Sequence, residues 1–256
     1  MKISHVNHSS ILCETENDLL LTDPWLVSNA FQGWSQYPGP NINEVKKIIS
    51  KDNNLSFVLL SHAHDDHVDD IFLSKLKDNV KVIIPRTYNL GFKKRVLNTG
   101  IKEENIIIID KNKVKVGDFY ISAISNETLS EEDFIFLISN KNNLVIHAND
   151  NWHLYNNQTT EYIKSFIKNN SLSNIVLLSQ IGIADSFPLF YERIKPKDKK
   201  KIIENKIKNM CTAFKNNCIE LGIEKGYAYA NQSRFSNLNK VMAINFNPYK
   251  IKDDII

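Results

Sequence analysis

A chain of 256 residues is long enough to bury a large core and still form one domain, and 42% hydrophobic with 24% charged residues is the balance of an ordinary globular protein. A formal charge of +3 is small, and the one basic run, residues 195–201, carries a proline and reads as a solvated loop or helix start, so no nucleic-acid partner is expected. Three cysteines give no disulfide framework, no apolar run is long enough to span a bilayer, and residues 1–5 lack an apolar signal core; the expectation is a cytoplasmic protein with no membrane partner.

Residues 2–7 and 10–14 alternate weakly, and 19–22 is a short apolar run. Together they predict an opening β-meander, ended at Asp23-Pro24 because proline cannot continue the ladder. Residues 25–41 carry Trp25, Phe31, Trp34 and Tyr37 among glycines and prolines, which predicts an ordered loop over a site. A helix is expected at 42–51 and a buried strand at 55–60.

Directly after that strand comes Ser61-His62-Ala63-His64-Asp65-Asp66-His67. Three of the seven histidines fall within six positions, a concentration that a solvated turn does not need. Imidazole and carboxylate both ligate borderline transition metals, and carboxylate adds affinity for iron or manganese. The donors leave the carboxyl end of a strand, where α/β sheets tend to place their chemistry. His62 and His64 can bind one cation, and Asp66 and His67 can turn back toward a second.

Farther along, a helix starts at 69–76, a strand at 80–84 ends at Pro85, and 90–99 is helical with Gly100 suited to its stop. Residues 106–109, 113–116 and 119–124 read as strands. Residues 134–139 and 144–147 form a pair joined by Asn140-Lys141-Asn142-Asn143. A helix at 159–168, a buried strand at 175–179, a long amphipathic helix at 198–221 with Asp198 suited to its N-cap, and a last strand at 241–246 complete the pattern. Cys13 falls in a strand; Cys211 and Cys218 fall in the long helix about two turns apart, too far to bond. The order predicts an α/β or α+β protein with two mixed sheets between helices, as one domain over residues 1–256.

His-x-His-x-Asp-His after a hydrophobic strand resembles the signature of the metallo-β-lactamase superfamily. The resemblance implies a four-layer αββα sandwich holding one or two divalent transition metals (zinc, iron or manganese). It also implies that an acidic residue at the end of a later strand bridges the metals, which points to Asp150 in Ile146-His147-Ala148-Asn149-Asp150-Asn151. An Asx-turn before Trp152 is the competing reading of Asp150. Most members carry a further histidine between these points, but residues 68–146 contain none. Glu127 stands near its place, as in related diiron oxygenases, and a carboxylate there favours iron or manganese. Asp133 competes with it but reads better as a strand-start residue. No histidine follows His153, so the usual final ligand is missing; His147 and His153 are spare candidates. Asp23 is expected to orient a metal-bound imidazole. His8 occupies a place where related proteins show Gly-His-Ala-Ser, and either contacts substrate or leaving group or is a satisfied core histidine.

Thr22-Asp23-Pro24-Trp25-Leu26 and Ala30-Phe31-Gln32-Gly33-Trp34 resemble the N-terminal signature of the metallo-β-lactamase domain in CMP-N-acetylneuraminate hydroxylase-like proteins. Residues 178–185 and 230–236, with Asn239 and Asn245, resemble their later elements. Those hydroxylases carry a Rieske module, whose paired Cys and His ligands this sequence does not supply. Three functions follow as expectations. The first is a metal-dependent hydrolase in which Asp66 orients the nucleophile or protonates the leaving group, acting on a small polar anionic substrate such as a phosphorylated or nucleotide-linked sugar. The second is a diiron O₂-dependent oxygenase, favoured by Glu127. The third is a non-catalytic sugar-binding relative, favoured by the missing histidines. Arg86, Arg95, Arg193 and Arg234 are possible anion clamps, with Arg234 preferred from its motif. Trp34, with Trp25 and Phe31, can line a pocket, stack on a base or sugar, or pack in the core.

Overall fold

A computed structural model of the chain describes residues 1–31, 33–36, 39–40, 55–125, 133–151, 153–154, 156–181, 187–188, 191–229 and, as backbone, 233–235. Three antiparallel strands open it: β1 (Lys2–Asn7), β2 (Ser10–Glu14) and β3 (Leu19–Thr22). The short β4 (Trp34–Gln36) lies apart from them. Then β5 (Leu55–Leu59), β6 (Lys81–Pro85) and β7 (Ile106–Ile109) add to β3 in parallel, giving a six-stranded sheet in the order β1-β2-β3-β5-β6-β7. Parallel neighbours need crossovers, and α1 (Asp70–Leu73) and α2 (Gly91–Asn98) lie in them.

The second sheet repeats the plan. An antiparallel meander of β8 (Val114–Val116), β9 (Phe119–Ser125), β10 (Phe134–Asn140) and β11 (Asn143–His147) is followed by parallel β12 (Asn174–Gln180) and β13 (Lys225–Tyr229). Crossover helices α3 (Asn157–Asn169) and α4 (Pro196–Leu221) cover its outer face. β10 is buried along almost its whole length, which explains its unbroken apolar run Phe134-Ile135-Phe136-Leu137-Ile138.

One apolar cluster joins the inner faces of the two sheets: Ile11, Leu20, Leu59 and Ile83 from the first meet Phe119, Phe136 and Val145 from the second. A second packs Phe72, Leu73, Phe92 and Val96 of α1 and α2 on the far side of the first sheet. A third packs Ile163 and Phe166 of α3 and Leu221 of α4 behind the second. The architecture is a four-layer αββα sandwich, as expected. Among the described residues no helix is long and apolar enough to cross a membrane.

Several expected boundaries move. The long helix begins at Pro196 with Lys195 as N-cap, and Asp198 sits in its first turn. Proline suits the first helical position because its missing N–H would be unpaired there anyway. Helix α1 stops at Leu73, well short of 76. The aromatic stretch expected as a loop contains β4, which pairs antiparallel with β14 (Ser233–Phe235). β13 has no apolar alternation to announce it. It is a half-exposed strand beside β12, and a side chain at Gly226 would run into Phe214 at 2.7 Å and Cys218 at 2.8 Å, so glycine there lets α4 approach the sheet. The expected helix at 42–51 and strand at 241–246 lie outside the described residues.

Phe136 is fully buried between the sheets. Phe136→Ala is expected to lower unfolding stability by about 3–5 kcal/mol, read as a shift in denaturant midpoint at unchanged slope.

Candidate metal centre

The strand ends at one edge of the sandwich deliver every donor. His8 follows β1, Asp23 follows β3, and His62, His64, Asp66 and His67 lie in the loop after β5. Asp150 follows β11, and Asp133 immediately precedes β10. Two groups result, each with donor atoms within 4.8 Å of one another: His62, His64 and Asp150, and His8, Asp66 and His67. In the first, His62 Nε2 lies 2.8 Å from His64 Nδ1 and 3.9 Å from Asp150 Oδ2. In the second, Asp66 Oδ2 lies 3.3 Å from His8 Nε2 and 3.8 Å from His67 Nε2. Asp150 stands between them, with its other oxygen, Oδ1, 3.5 Å from His67 Nε2.

The buried polar atoms test whether these residues suit a cation. His8 Nε2, Asp66 Oδ1, His67 Nε2 and Asp150 Oδ1 are buried without a hydrogen-bond partner. Each such atom costs about 1–3 kcal/mol when left unmatched. Their gathering in one place, from imidazole and carboxylate, is the donor set of a borderline or hard divalent cation, and the residues fit one.

Behind the donors runs a hydrogen-bonded chain. Tyr229 Oη accepts from Asn149 N at 3.0 Å and lies 2.6 Å from His147 Nδ1. His147 Nε2 lies 2.8 Å from Asp23 Oδ2, which also accepts from Ser61 Oγ at 2.8 Å and stands 3.1 Å from His67 Nδ1. Asp23 Oδ1 takes the Ser61 N–H at 2.7 Å. The network assigns the His67 Nδ1 proton to Asp23 and turns Nε2 toward the donor group. Asp23 therefore sits where the sequence resemblance implied. His147 is a link in this chain and belongs to neither donor group. His153 is exposed and likewise outside both groups among the described residues.

The loop carrying the histidines is braced from outside. Asp69 Oδ2 accepts from Leu26 N, Val27 N and Ser28 N at 3.0, 2.6 and 3.0 Å, while Oδ1 caps α1 through Phe72 N at 3.1 Å. Asp65 Oδ2 accepts from Phe31 N. Arg95 reaches from α2 to Asp65, Asp70 and the carbonyls of Ala63 and Val68. These contacts commit most of its N–H groups to the loop. Arg86 lies 3.7 Å from Asp110, and both are exposed. Trp25 meets the His8 ring edge-on at 5.0 Å, and Phe31 meets His64 at 5.9 Å.

Trp34 is half-buried in β4, where it pairs with Phe235, while the backbone of Arg234 pairs with Ser35. Residues some 200 apart are thus brought onto neighbouring strands. Glu127 lies outside the described residues. Asp133 stands at the start of a strand, as expected, and also reaches the site: its Oδ1 is 3.3 Å from His62 Nδ1 while it accepts from Phe134 N. Its position one residue before an apolar strand antiparallel to the one preceding Asp150 was the available signal.

Electrostatics separate the donors. Burial drives His62 down to about 3, helped by the neighbouring His67 charge, so His62 is a neutral donor. Burial opposes charge on Asp23, Asp66 and Asp150, but His67 together with the other neighbouring imidazoles and hydrogen bonds outweighs it, and all three titrate below the ordinary range. Burial also opposes charge on His67, yet Asp150, Asp66 and Asp23 hold its proton well above the usual value. Burial and the charge of Asp150 push Asp133 upward.

With a raised folded pKa and no cation, His67 stabilises the fold fully below the ordinary histidine value of 6.5 and loses this as pH rises through its higher folded value. A bound cation replaces that proton. The melting temperature of chelator-treated protein should therefore fall as pH rises above neutrality, and the loaded protein should show a flatter profile by scanning fluorimetry. Asp69→Ala, which strips the partner from four N–H groups, is expected to cost about 2–4 kcal/mol in chemical denaturation.

Residues 2–165 match the family described as Beta-lactamase superfamily domain, and the chain belongs to that family. Over 85 residues it is 33% identical to a UPF0173 metal-dependent hydrolase of Bacillus cereus, a match taking in 33% of this chain and 31% of that protein. It thus spans about a third of the length of the curated relatives it matches. Among solved structures it is similar to a mutant of the CmlA beta-hydroxylase, with a TM-score of 0.57 and 18% identity over 90% of this chain and 45% of that one. It is also similar to the isothiocyanate hydrolase from Delia radicum gut bacteria, with a TM-score of 0.57 and 13% identity over 100% of this chain and 95% of that one. At these identities what is shared is the fold, the metallo-β-lactamase sandwich.

Proposed function

We propose that this chain is a metal-dependent hydrolase acting on a small, polar, anionic substrate such as a phosphorylated or nucleotide-linked sugar. The observation that carries the reading is the convergence of His62, His64, Asp66, His67 and Asp150 with buried, unpartnered nitrogen and oxygen atoms facing one another. A degraded, merely sugar-binding site would have no reason to keep those costly atoms unmatched. The UPF0173 relatives, named metal-dependent hydrolases, support the same reaction class.

His62, His64 and Asp150 would hold one cation and Asp66, His67 and Asp150 a second. Cations so held would lower the pKa of a water toward neutrality and polarise the bond under attack. Asp150 divides its two oxygens between the groups and keeps them close. Asp66, held as a carboxylate, serves as a ligand, since a group ionised at neutral pH has no proton to give a leaving group. Asp23, through Ser61 and His67, fixes the angle at which the donors meet. Trp34 and Arg234, preferred from their sequence motifs and carried on the paired strands β4 and β14, would bind the substrate. The motifs shared with CMP-N-acetylneuraminate hydroxylase-like proteins support a sugar-linked anion, and a single domain accounts for the two sheets.

Against a panel of phosphodiesters, sugar phosphates and lactones, His64→Ala and Asp150→Asn should each lower kcat/KM by at least ~100-fold. Chelation should abolish turnover and divalent zinc, iron or manganese restore it. A second reading, an O₂-dependent diiron oxygenase, is supported by the fold shared with the CmlA beta-hydroxylase and by the Asp66 and Asp150 carboxylates, which harden the cage toward iron. Turnover only with iron, reductant and O₂ would replace hydrolysis with that reading.

A further inference from the structure

We propose that His8 is a direct ligand of the second cation, taking the place of the final histidine that the sequence lacks. The inference rests on the metal-dependent reading above. His8 is 1% exposed, and neither ring nitrogen has a hydrogen-bond partner. A satisfied core histidine would have at least one, because buried polar atoms are normally paired. A histidine that touches substrate needs an open face, and this ring has none.

Its surroundings instead point to coordination. Nε2 stands 3.3 Å from Asp66 Oδ2 without the alignment of a hydrogen bond. Asp66 Oδ2 and Asp150 Oδ1 lie 3.8 and 3.5 Å from His67 Nε2. Donors bound at 2.0–2.1 Å in a tetrahedron stand about 3.4 Å apart, so these three separations are the edges of one coordination shell. His8, Asp66 and His67 would supply three of its ligands, with an Asp150 oxygen beside His67. The ring is also held for the purpose. His8 takes a left-handed backbone (φ 47°) in the two-residue connection between β1 and β2, and Trp25 packs against the ring at 88°. The rule that a late histidine completes the second site is thus met from the opposite end of the chain, since no histidine follows His153.

Cobalt(II) titration of the metal-free protein tests this, with metal counted by elemental analysis and the visible absorption bands of bound cobalt as a second readout. Wild type should take up two equivalents. His8→Ala should keep one tight equivalent and bind the second more than about a hundredfold more weakly, beyond the loss typical of changes outside the ligand shell. The bands of the second cobalt should be lost, and added imidazole should restore them. His8→Gln, which keeps most of the side-chain volume, should show the same loss if His8→Ala does not fold. Two equivalents at wild-type affinity and with unchanged bands in a folded His8 variant would overturn the inference and leave the hydrolase reading standing, as would a wild type that holds only one. A wild type that binds no metal would overturn both.

Discussion

The Asp23 carboxylate is the point on which the site turns. It is fully buried, and its two oxygens meet the backbone N–H and hydroxyl of Ser61, the His147 ring and the His67 ring. Asp23 itself follows β3 of the first sheet, and its partners come from the loop after β5 and from the end of β11 in the second sheet. A single anion therefore fixes three chain segments relative to one another. Because it is hydrogen-bonded throughout and faces His67, its burial is compensated, whereas an unpaired buried charge would be expelled. Tyr229 extends the same chain to the last strand of the second sheet.

That arrangement makes the donor cage a joint between two layers rather than a feature of either. Apolar packing holds the inner faces together but is nearly indifferent to small sliding. The polar contacts at the edge are directional and set the relative position of the sheets there. Within the cage, the unmatched atoms of His8, Asp66, His67 and Asp150 work against folding, a cost that a bound cation would relieve. The outer brace of Asp65, Asp69 and Arg95 keeps the histidine loop shaped meanwhile.

Much of this could be read from the residues. The paired strands at 134–140 and 143–147 announced themselves by apolar runs around a turn, and the spacing His62-x-His64-x-Asp66-His67 after a buried strand marked the donors. The family pattern points to Asp150 and Asp23, and both lie at strand ends beside His67. Other features carried no local signal. β13, as Lys-Gly-Tyr-Ala-Tyr, is specified by its parallel neighbour and by the helix pressing on Gly226. Arg95 resembled a substrate clamp because its charge is visible in sequence and its partners are not. Asp133 reads in sequence as a strand-start residue, and only the pairing of β10 with β11 brings it to the His62 ring. His8 and His147 were read with their roles open, since a buried imidazole declares its function only through what its nitrogens face.

His8, Asp23 and Asn149 all adopt left-handed backbone, with φ of 47°, 36° and 40°, at the ends of β1, β3 and β11. Glycine takes that conformation freely and asparagine, aspartate and histidine more readily than most residues, whereas Phe31, Lys141, Leu154 and Ser171 hold it elsewhere in the chain at greater cost. Each position is therefore filtered twice, once by the bend and once by what its side chain must do. Glycine would keep the bend at each corner at the least cost while removing the side chain's chemistry. A relative that has traded catalysis for another trade would be expected to carry glycines at these three corners on an otherwise unaltered scaffold.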